Sequence, residues 1–214
     1  MNTDKLLLEL NRLYPNADTE VAWDNEGIND LYVLCTAVVL SPMTTEKIVE
    51  KIIKHLYDED LHRPENVLKN QERVKEIVKP AGFTKRKPKY VIEMAEKFHF
   101  DEKWTNIRKD PKTVTFKDLL TFKGIGPKCA AVIQCCLGYL PDIFPVDTHV
   151  GRCARRWGLT TNKNPNLISK DLQKLFPKDK WRLIHFQIVM IGRYICTAKK
   201  HKSCEMCDMF NTST

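Results

Sequence analysis

The sequence predicts an all-α protein from two observations. Apolar residues recur at helical spacing along most of the 214 residues, and few stretches alternate with the two-residue period of a strand. Proline and glycine punctuate the chain between these apolar stripes, as at Pro15, Pro64 and Gly82, and they separate one helix from the next. We therefore expect helices packed on helices around shared apolar faces.

The first half of the chain supplies most of the predicted helices. Residues 4–14 form an amphipathic opening helix that Pro15 ends. Asn29 is positioned to cap a strongly apolar helix over residues 30–40, which is too short to span a bilayer and is expected at the centre of a core. Further helices are predicted over residues 45–58, 64–68, 72–78 and 89–98, with a connection over residues 104–111.

The stretch from residue 115 to residue 157 predicts a helix-hairpin-helix followed by another helix. Thr115 and Asp118 have the spacing of a capping box, and Gly124 and Gly126 break the short helix that it starts. Pro127 stands at the first position of the next helix, which should run to Gly138. Later helices are predicted over residues 148–157, 166–175 and 179–196.

The hairpin turn has the properties of a phosphate-binding loop. Glycines at 124 and 126 remove side chains that would hold a phosphate away. The free N–H groups at the start of the second helix point outward with the positive end of its dipole. Lys123, Gly124 and Gly126 are therefore candidates for binding a nucleic-acid strand.

Two residues suggest catalysis as well as binding. Lys128 lies in the first turn of the second hairpin helix, where the positive field of the helix disfavours an ammonium and so favours a nucleophilic free amine. Asp147 immediately precedes the helix at residues 148–157, where an N-cap carboxylate is stabilised in its charged form. An amine and a carboxylate would then flank one basic groove.

Composition is consistent with a nucleic-acid partner but does not select one. The net charge of +8 and the pI of about 9.0 favour a polyanion, which could be DNA, RNA or an acidic membrane surface. The opening residues lack the layout of a signal peptide, and the eight cysteines are unevenly spread. We therefore expect a reducing compartment inside the cell and no disulfide framework.

The motifs together carry a family resemblance. GIGPKCAAV followed by PVDTHVGR looks like the helix-hairpin-helix DNA glycosylases of the endonuclease III type, and the proline before the lysine is similar to the family's eukaryotic members. Lys128 and Asp147 match the family's catalytic lysine and aspartate, and the similarity extends from about Val21 to Cys207. The resemblance implies two helical lobes, residues 23–140 with the hairpin and residues 1–22 plus 141–214, with the catalytic cleft between them.

The resemblance also implies an activity. It is that of a bifunctional DNA glycosylase and abasic-site lyase, which removes oxidised pyrimidines in base excision repair. The expected partner is double-stranded DNA with a damaged base or an abasic site. We expect the protein to act as a monomer and not to bind a membrane. The compartment would be the nucleus or mitochondrion of a eukaryote, or otherwise the cytoplasm or nucleoid.

Two other functions remain open on the sequence. A mismatch or adenine glycosylase of the same fold is the nearer alternative, although purely monofunctional relatives commonly lack the lysine. A non-catalytic DNA-binding module is the more distant one, and Lys128 would then contact only phosphate.

Two loops are candidates for contacts with the DNA. The resemblance places a residue that fills the gap left by a flipped base at Met43, where the family commonly has glutamine, and a wedge residue at Phe83. Lys87 and its basic neighbours could hold phosphates. The alternatives are that Met43 is core or surface filler, and that the lysine run is a solvated face.

The C-terminal cysteines suggest a metal site that lacks one ligand. Cys196, Cys204 and Cys207 resemble three ligands of the family's iron-sulfur loop, with one extra residue in the first spacer and Ser213 at the fourth place. Three interpretations compete: a four-iron four-sulfur cluster with another fourth ligand, a zinc ion that also uses His201, or a remnant without metal. The cysteines within predicted helices, Cys153 among them, are expected to be packing residues.

Overall fold

The computed structural model describes residues 3–20, 30–198 and 203–210. These residues form helices joined by turns, with no strand among them, and the predicted all-α class is confirmed. The helices are α1 (Thr3–Leu13), α2 (Ala17–Glu20), α3 (Leu31–Leu40), α4 (Glu46–Asp58), α5 (Pro64–Lys69), α6 (Gln71–Val78), α7 (Lys87–Phe100), α8 (Glu102–Lys109), α9 (Phe116–Leu119), α10 (Pro127–Cys136), α11 (Thr148–Arg156), α12 (Pro165–Leu175), α13 (Trp181–Tyr194) and α14 (Glu205–Phe210). Within the described ranges, no helix has both the length and the apolar character needed to cross a membrane.

The predicted connection at residues 104–111 is wrong, because a helix occupies most of it. Asp101 caps α8 by accepting hydrogen bonds from the amides of Lys103 and Trp104. Trp104 and Ile107 are the only buried residues of this helix, so the polar sequence shows little apolar periodicity. A cap and two buried side chains are sufficient here because the helix packs against α7.

The chain divides into two compact units, residues 26–133 and residues 1–25 with 134–214. The first unit contains α3 to α9 and most of α10. The second contains the opening helices α1 and α2 together with α11 to α14.

The unit of residues 26–133 is built around α3, of which all ten residues are buried. Its N-cap is Asp30, whose side chain accepts hydrogen bonds from the amides of Tyr32 and Val33. The predicted cap, Asn29, lies outside the described residues. Arg108 donates to the second carboxylate oxygen of Asp30 at 2.8 Å, so the charge of this half-buried cap is paired.

An aromatic cluster ties the hairpin to this core. The ring of Phe98 lies 5.6 Å from Tyr32, 5.1 Å from Trp104 and 5.6 Å from Phe122, measured between centroids. The first contact is edge-to-face, which is a favoured geometry. Because Phe122 lies just before the glycine turn, these contacts fix where the turn begins.

The helix-hairpin-helix has the predicted caps and turn. Thr115 and Asp118 form the capping box, in which each side chain accepts a hydrogen bond from the other's backbone amide. Gly124 has a φ of +90°, and a Cβ at this position would lie 2.7 Å from Cδ2 of Tyr90 on α7. The turn therefore needs glycine at 124 both for its backbone conformation and for its packing.

The second unit packs α1 and α11 against α13. Its buried cluster includes Leu6 and Leu10 from α1 and Trp157 from the end of α11. Arg182 of α13 donates to the carbonyl of Cys135 at 2.7 Å and forms an ion pair with Asp18. These bonds hold the end of α10 and the short helix α2 on the same side of α13.

We expect Gly124→Ala to destabilise the protein and Gly126→Ala to leave its stability nearly unchanged. Alanine in the left-handed region costs about 1–2 kcal/mol, and at 124 it also meets the Tyr90 ring. A Cβ at Gly126 meets no atom within 4 Å, which makes it the matched control. Thermal unfolding of both variants tests this, and equal melting temperatures would contradict the packing described for Gly124.

We expect the capping box to lose its stabilising effect in acid. Burial opposes ionisation of Asp118, but hydrogen bonds from Lys103 and Thr115 outweigh it and hold the pKa of Asp118 below its ordinary value. The contribution is therefore present above the ordinary aspartate pKa of about 4 and is lost as the pH falls through the lowered folded-state pKa. The stability difference between wild type and Asp118→Asn, measured by denaturant titration, should shrink below about pH 4; a difference constant from pH 7 to pH 3 would contradict this assignment.

Candidate DNA-binding and catalytic site

The start of α10 presents backbone amides to the surface. The carbonyl of Gly126 accepts the amide of Ala130 at 2.9 Å, so Gly126 is the residue just before the first helical position. The amides of a first helical turn have no partner within their helix. The absence of any atom within 4 Å of a Cβ placed at Gly126 shows that the space beside the turn is open. An anion can therefore approach the helix N-terminus here.

Lys128 is the second residue of α10, and its side chain is exposed. It forms no ion pair with any residue in the described part of the chain. Its backbone lies in the first turn of α10, beside the open hairpin turn. The role of Lys128 as the nucleophile stays a prediction.

Lys123 forms an exposed ion pair within the hairpin region. Its Nζ lies 3.1 Å from Oε1 of Glu93. Exposed pairs of this kind contribute little to stability, so a phosphate could replace the glutamate as the partner of this ammonium. A DNA contact by Lys123 stays a prediction.

Asp147 is the N-cap of α11, as predicted. Its Oδ1 accepts the amide of Val150 at 2.7 Å, and its backbone carbonyl accepts the amide of Gly151 at 2.9 Å. One carboxylate oxygen is therefore committed to holding the side chain in place, while Oδ2 retains its acceptor capacity. Lys128 and Asp147 belong to different units, so their pairing stays a prediction.

Two buried polar side chains fix the loop that leads to Asp147. Ser169 of α12 donates to the carbonyl of Phe144 at 2.7 Å, and Nδ1 of His185 on α13 lies 3.1 Å from the carbonyl of Pro145. The sequence contains no signal for Ser169, which is one of several polar residues on an amphipathic helix. These contacts satisfy buried carbonyls and restrict the backbone beside the carboxylate.

Met43 and Phe83 are both exposed and both lie in unusual backbone conformations. Met43 is 88% exposed with a φ of +60°, and Phe83 is 53% exposed with a φ of +46°. Large apolar side chains normally avoid both conditions, and a non-glycine residue in the left-handed region costs about 1–3 kcal/mol. The interpretation of Met43 as core filler is therefore wrong, since its side chain is directed into solvent.

The structure corrects the predicted role of Lys87. Its side chain is buried, and its Nζ donates to the carbonyls of Leu40, Pro42 and Ala81 at 2.6, 2.6 and 2.7 Å. An ammonium has three N–H donors, and all three are used. Burial also lowers the pKa of Lys87 below its ordinary value. Lys87 is thus unavailable to a phosphate, whereas the neighbouring Lys85 and Arg86 are exposed.

The three C-terminal cysteines form a group that could hold a metal ion. The thiol sulfurs of Cys196, Cys204 and Cys207 all lie within 4.8 Å of one another, with Cys196 and Cys207 separated by 3.8 Å. A fourth thiol, that of the buried Cys153, forms a hydrogen bond with Cys196, but it is not one of the three sulfurs that lie within 4.8 Å of one another. This bond and the guanidinium of Arg156, 3.3 Å from the sulfur, lower the pKa of Cys196.

One pair of thiols in this cysteine group has a separation compatible with a single metal ion. Ligands about 2.3 Å from one tetrahedral zinc ion lie about 3.8 Å apart, which matches the separation of Cys196 and Cys207. The thiolates of a four-iron cluster bind different irons and lie wider apart. His201, which the zinc interpretation uses as fourth ligand, and Ser213, at the place of the family's fourth cysteine, lie outside the described residues.

The sequence is similar to a family of DNA repair proteins over a range that includes the hairpin. Residues 36–178 match the HhH-GPD superfamily of base excision DNA repair proteins. Endonuclease III of Rickettsia felis is 31% identical over 195 residues, which cover 90% of this chain and 84% of that protein. Endonuclease III of Rickettsia prowazekii is 30% identical over 194 residues, covering 90% and 85%. These relatives are bacterial, so the resemblance to eukaryotic members stays a prediction.

Solved structures show the same architecture. A non-covalent endonuclease III–DNA complex superposes with a TM-score of 0.79 at 25% identity, covering 99% of this chain and 96% of that one. The 3-methyladenine DNA glycosylase of H. pylori superposes with a TM-score of 0.68 at 19% identity, which supports the fold alone. With its family match over more than half of its length, the chain belongs to the HhH-GPD superfamily of base excision DNA repair proteins.

Proposed function

We propose that this protein is a bifunctional DNA glycosylase and abasic-site lyase that removes oxidised pyrimidines from double-stranded DNA inside the cell. The observation that carries the proposal is the setting of Lys128, an exposed amine in the first turn after an open glycine hairpin. Its relatives include endonuclease III proteins that match it over about nine-tenths of its length.

The proposed reaction begins when the damaged nucleotide leaves the duplex. Contacts from the hairpin amides to phosphate, together with insertion of exposed apolar side chains, offset the cost of unstacking. The free amine of Lys128 attacks the anomeric carbon of the sugar, and the bond to the base breaks with its electron pair leaving on the base. The amine then loses a proton and the sugar ring opens, which gives an iminium ion linking enzyme and sugar.

Asp147 would stabilise the positive charge that develops on the sugar. With Oδ1 held by the amide of Val150, the carboxylate is fixed in orientation, and Oδ2 can face the charge or relay a proton. The iminium acidifies the neighbouring carbon, loss of that proton expels the 3′ phosphate by β-elimination, and water then releases the enzyme.

Two other functions are tested alongside this one. A mismatch or adenine glycosylase of the same fold would release a different base. A non-catalytic DNA-binding protein would use the hairpin amides but form no bond through Lys128. Borohydride trapping and base release on two substrates distinguish the three functions.

We expect borohydride to trap a covalent complex of the wild type with duplexes that carry thymine glycol or an abasic site. Lys128→Gln should form none, because reduction captures the iminium of that amine. Lys117→Gln is the matched control, since it removes an exposed ammonium from α9, the first helix of the hairpin, and it should still trap. Trapping by Lys128→Gln at the wild-type level would contradict the assignment.

Other outcomes of this experiment identify the alternatives. Trapping on the abasic site alone would keep the lyase and require another base. Base release without trapping would indicate attack by water with help from Asp147. Binding without either would indicate the non-catalytic module.

We expect Asp147→Asn to fold normally and to lose roughly a hundredfold to ten-thousandfold in rate. Asparagine is also a good N-cap, so the start of α11 should be preserved while the charge is removed. Single-turnover base release measures the loss, and an unchanged melting temperature confirms the fold. A rate close to wild type would remove Asp147 from the mechanism.

We propose further that Cys196, Cys204 and Cys207 bind one metal ion, which takes a fourth ligand from outside this group. Elemental analysis of the purified protein should give about one zinc per chain and no broad visible absorbance. Cys204→Ser should lose the metal, and Cys129→Ser, outside the group, should retain it. A brown preparation with stoichiometric iron would support a cluster instead, and a protein without metal would support the remnant.

A further inference from the structure

Lys87 connects two loops that are far apart in sequence. Its acceptors Leu40 and Pro42 precede Met43, and its third acceptor, Ala81, precedes Phe83. The lysine is 3% exposed. One buried ammonium therefore binds the backbone just before Met43 and just before Phe83.

The same helix also contacts the hairpin turn. Lys87 begins α7, and Tyr90 lies three residues later, where its ring fills the space beside Gly124. Residues three apart lie on one face of a helix. The first turn of α7 thus contacts the Met43 loop, the Phe83 loop and the hairpin, all within the unit of residues 26–133.

The backbone of the two loops requires such support. Met43 and Phe83 both have positive φ, a conformation that persists only where the surroundings enforce it. The carbonyl of Phe83 accepts the amides of Arg86 and Lys87 at 2.8 and 3.1 Å, and the ammonium of Lys87 lies 5.6 Å from the Phe83 ring centroid. Lys87 is therefore bonded to the Phe83 loop through its backbone and its side chain.

We propose that Lys87 is a positioning residue that clamps the two loops at a fixed separation, so that Met43 and Phe83 enter the DNA as one pair. This inference rests on the proposed function, because it assigns the pair to opening the duplex around the damaged nucleotide. A phosphate contact would place the ammonium in solvent, whereas here it is enclosed by carbonyls. An apolar side chain unstacks the bases only where it is inserted between them. The hydrogen bonds of Lys87 set the position of the two loops that carry Met43 and Phe83.

Lys87→Met tests the clamp, because methionine keeps most of the length and apolar volume of the side chain but cannot donate to the three carbonyls. Lys89→Met is the matched control, since Lys89 is an exposed lysine on the same helix whose one ion pair within the described ranges is with Glu93, at 3.8 Å. Both variants are assayed below their melting temperatures. A 2-aminopurine placed beside the lesion reports unstacking by its fluorescence.

We expect Lys87→Met to lose roughly tenfold to a hundredfold in the rates of unstacking and base release on duplex DNA. Borohydride trapping on a single-stranded oligonucleotide with an abasic site should stay near wild type, because that substrate has no stack to open. Lys89→Met should match wild type in both assays. Equal loss on duplex and single strand, or no loss on duplex, would overturn the clamp.

Failure of the proposed function gives a different result. If wild-type protein traps neither substrate, the lyase itself is wrong, whatever Lys87 does. If wild type traps both and Lys87→Met behaves like wild type on duplex, only the clamp is wrong.

A second measurement needs no change at Lys87 and covers the case in which Lys87→Met does not fold. Met43→Ala, Phe83→Ala and the double variant are compared for duplex unstacking in the presence of the intact clamp. Side chains that act as a unit give a combined loss smaller than the product of the two single losses. Independent, multiplicative losses would overturn the paired action.

Discussion

The ends of buried helices impose the constraint on which much of this structure depends. A helix leaves amides at its start and carbonyls at its end without intrahelical partners, and burial makes an unpaired group costly. α3 is buried along its entire length, so both ends need partners from the protein. Asp30 supplies one at the start, and Lys87 supplies one at the end by donating to the carbonyl of Leu40.

The same constraint acts in the other unit. Arg152 donates to the carbonyls of Gly192 and Cys196 at 2.6 and 3.1 Å, and Arg156 donates to that of Thr197 at 2.7 Å. Cations suit this position because the C-terminal end of a helix carries partial negative charge. Both arginines lie on α11, which begins at Asp147. The residues that complete the end of α13 therefore also restrict the helix that carries the proposed catalytic carboxylate.

Function and stability make opposing demands at the proposed DNA-binding loops. Met43 and Phe83 expose apolar surface and hold left-handed backbone, and neither feature helps the free protein to fold. Lys87 offsets part of this cost, since it joins the loops through hydrogen bonds to a charged donor, which are among the stronger kind. A residue that lies away from solvent can thus control a surface that contacts a partner.

Much of the local structure was predictable because it depends on nearby residues. The capping box of Thr115 and Asp118, the break at Gly124, the start of α10 at Pro127 and the cap at Asp147 are all set within a few positions of chain. The helix at residues 102–109 was not predicted, because its two buried side chains give too weak a period.

The sequence by itself determined the helical class, the hairpin and the resemblance that names Lys128 and Asp147, because those signals are short-range patterns of residue type. Only the tertiary structure decided what Lys87, Cys153 and Tyr90 do. The partners of Lys87 at residues 40 and 42 are more than forty positions away, and Cys153 meets a thiol 43 positions later, at Cys196. A buried lysine and a solvated one have the same letter, and only the fold determines whether carbonyls or water surround the ammonium.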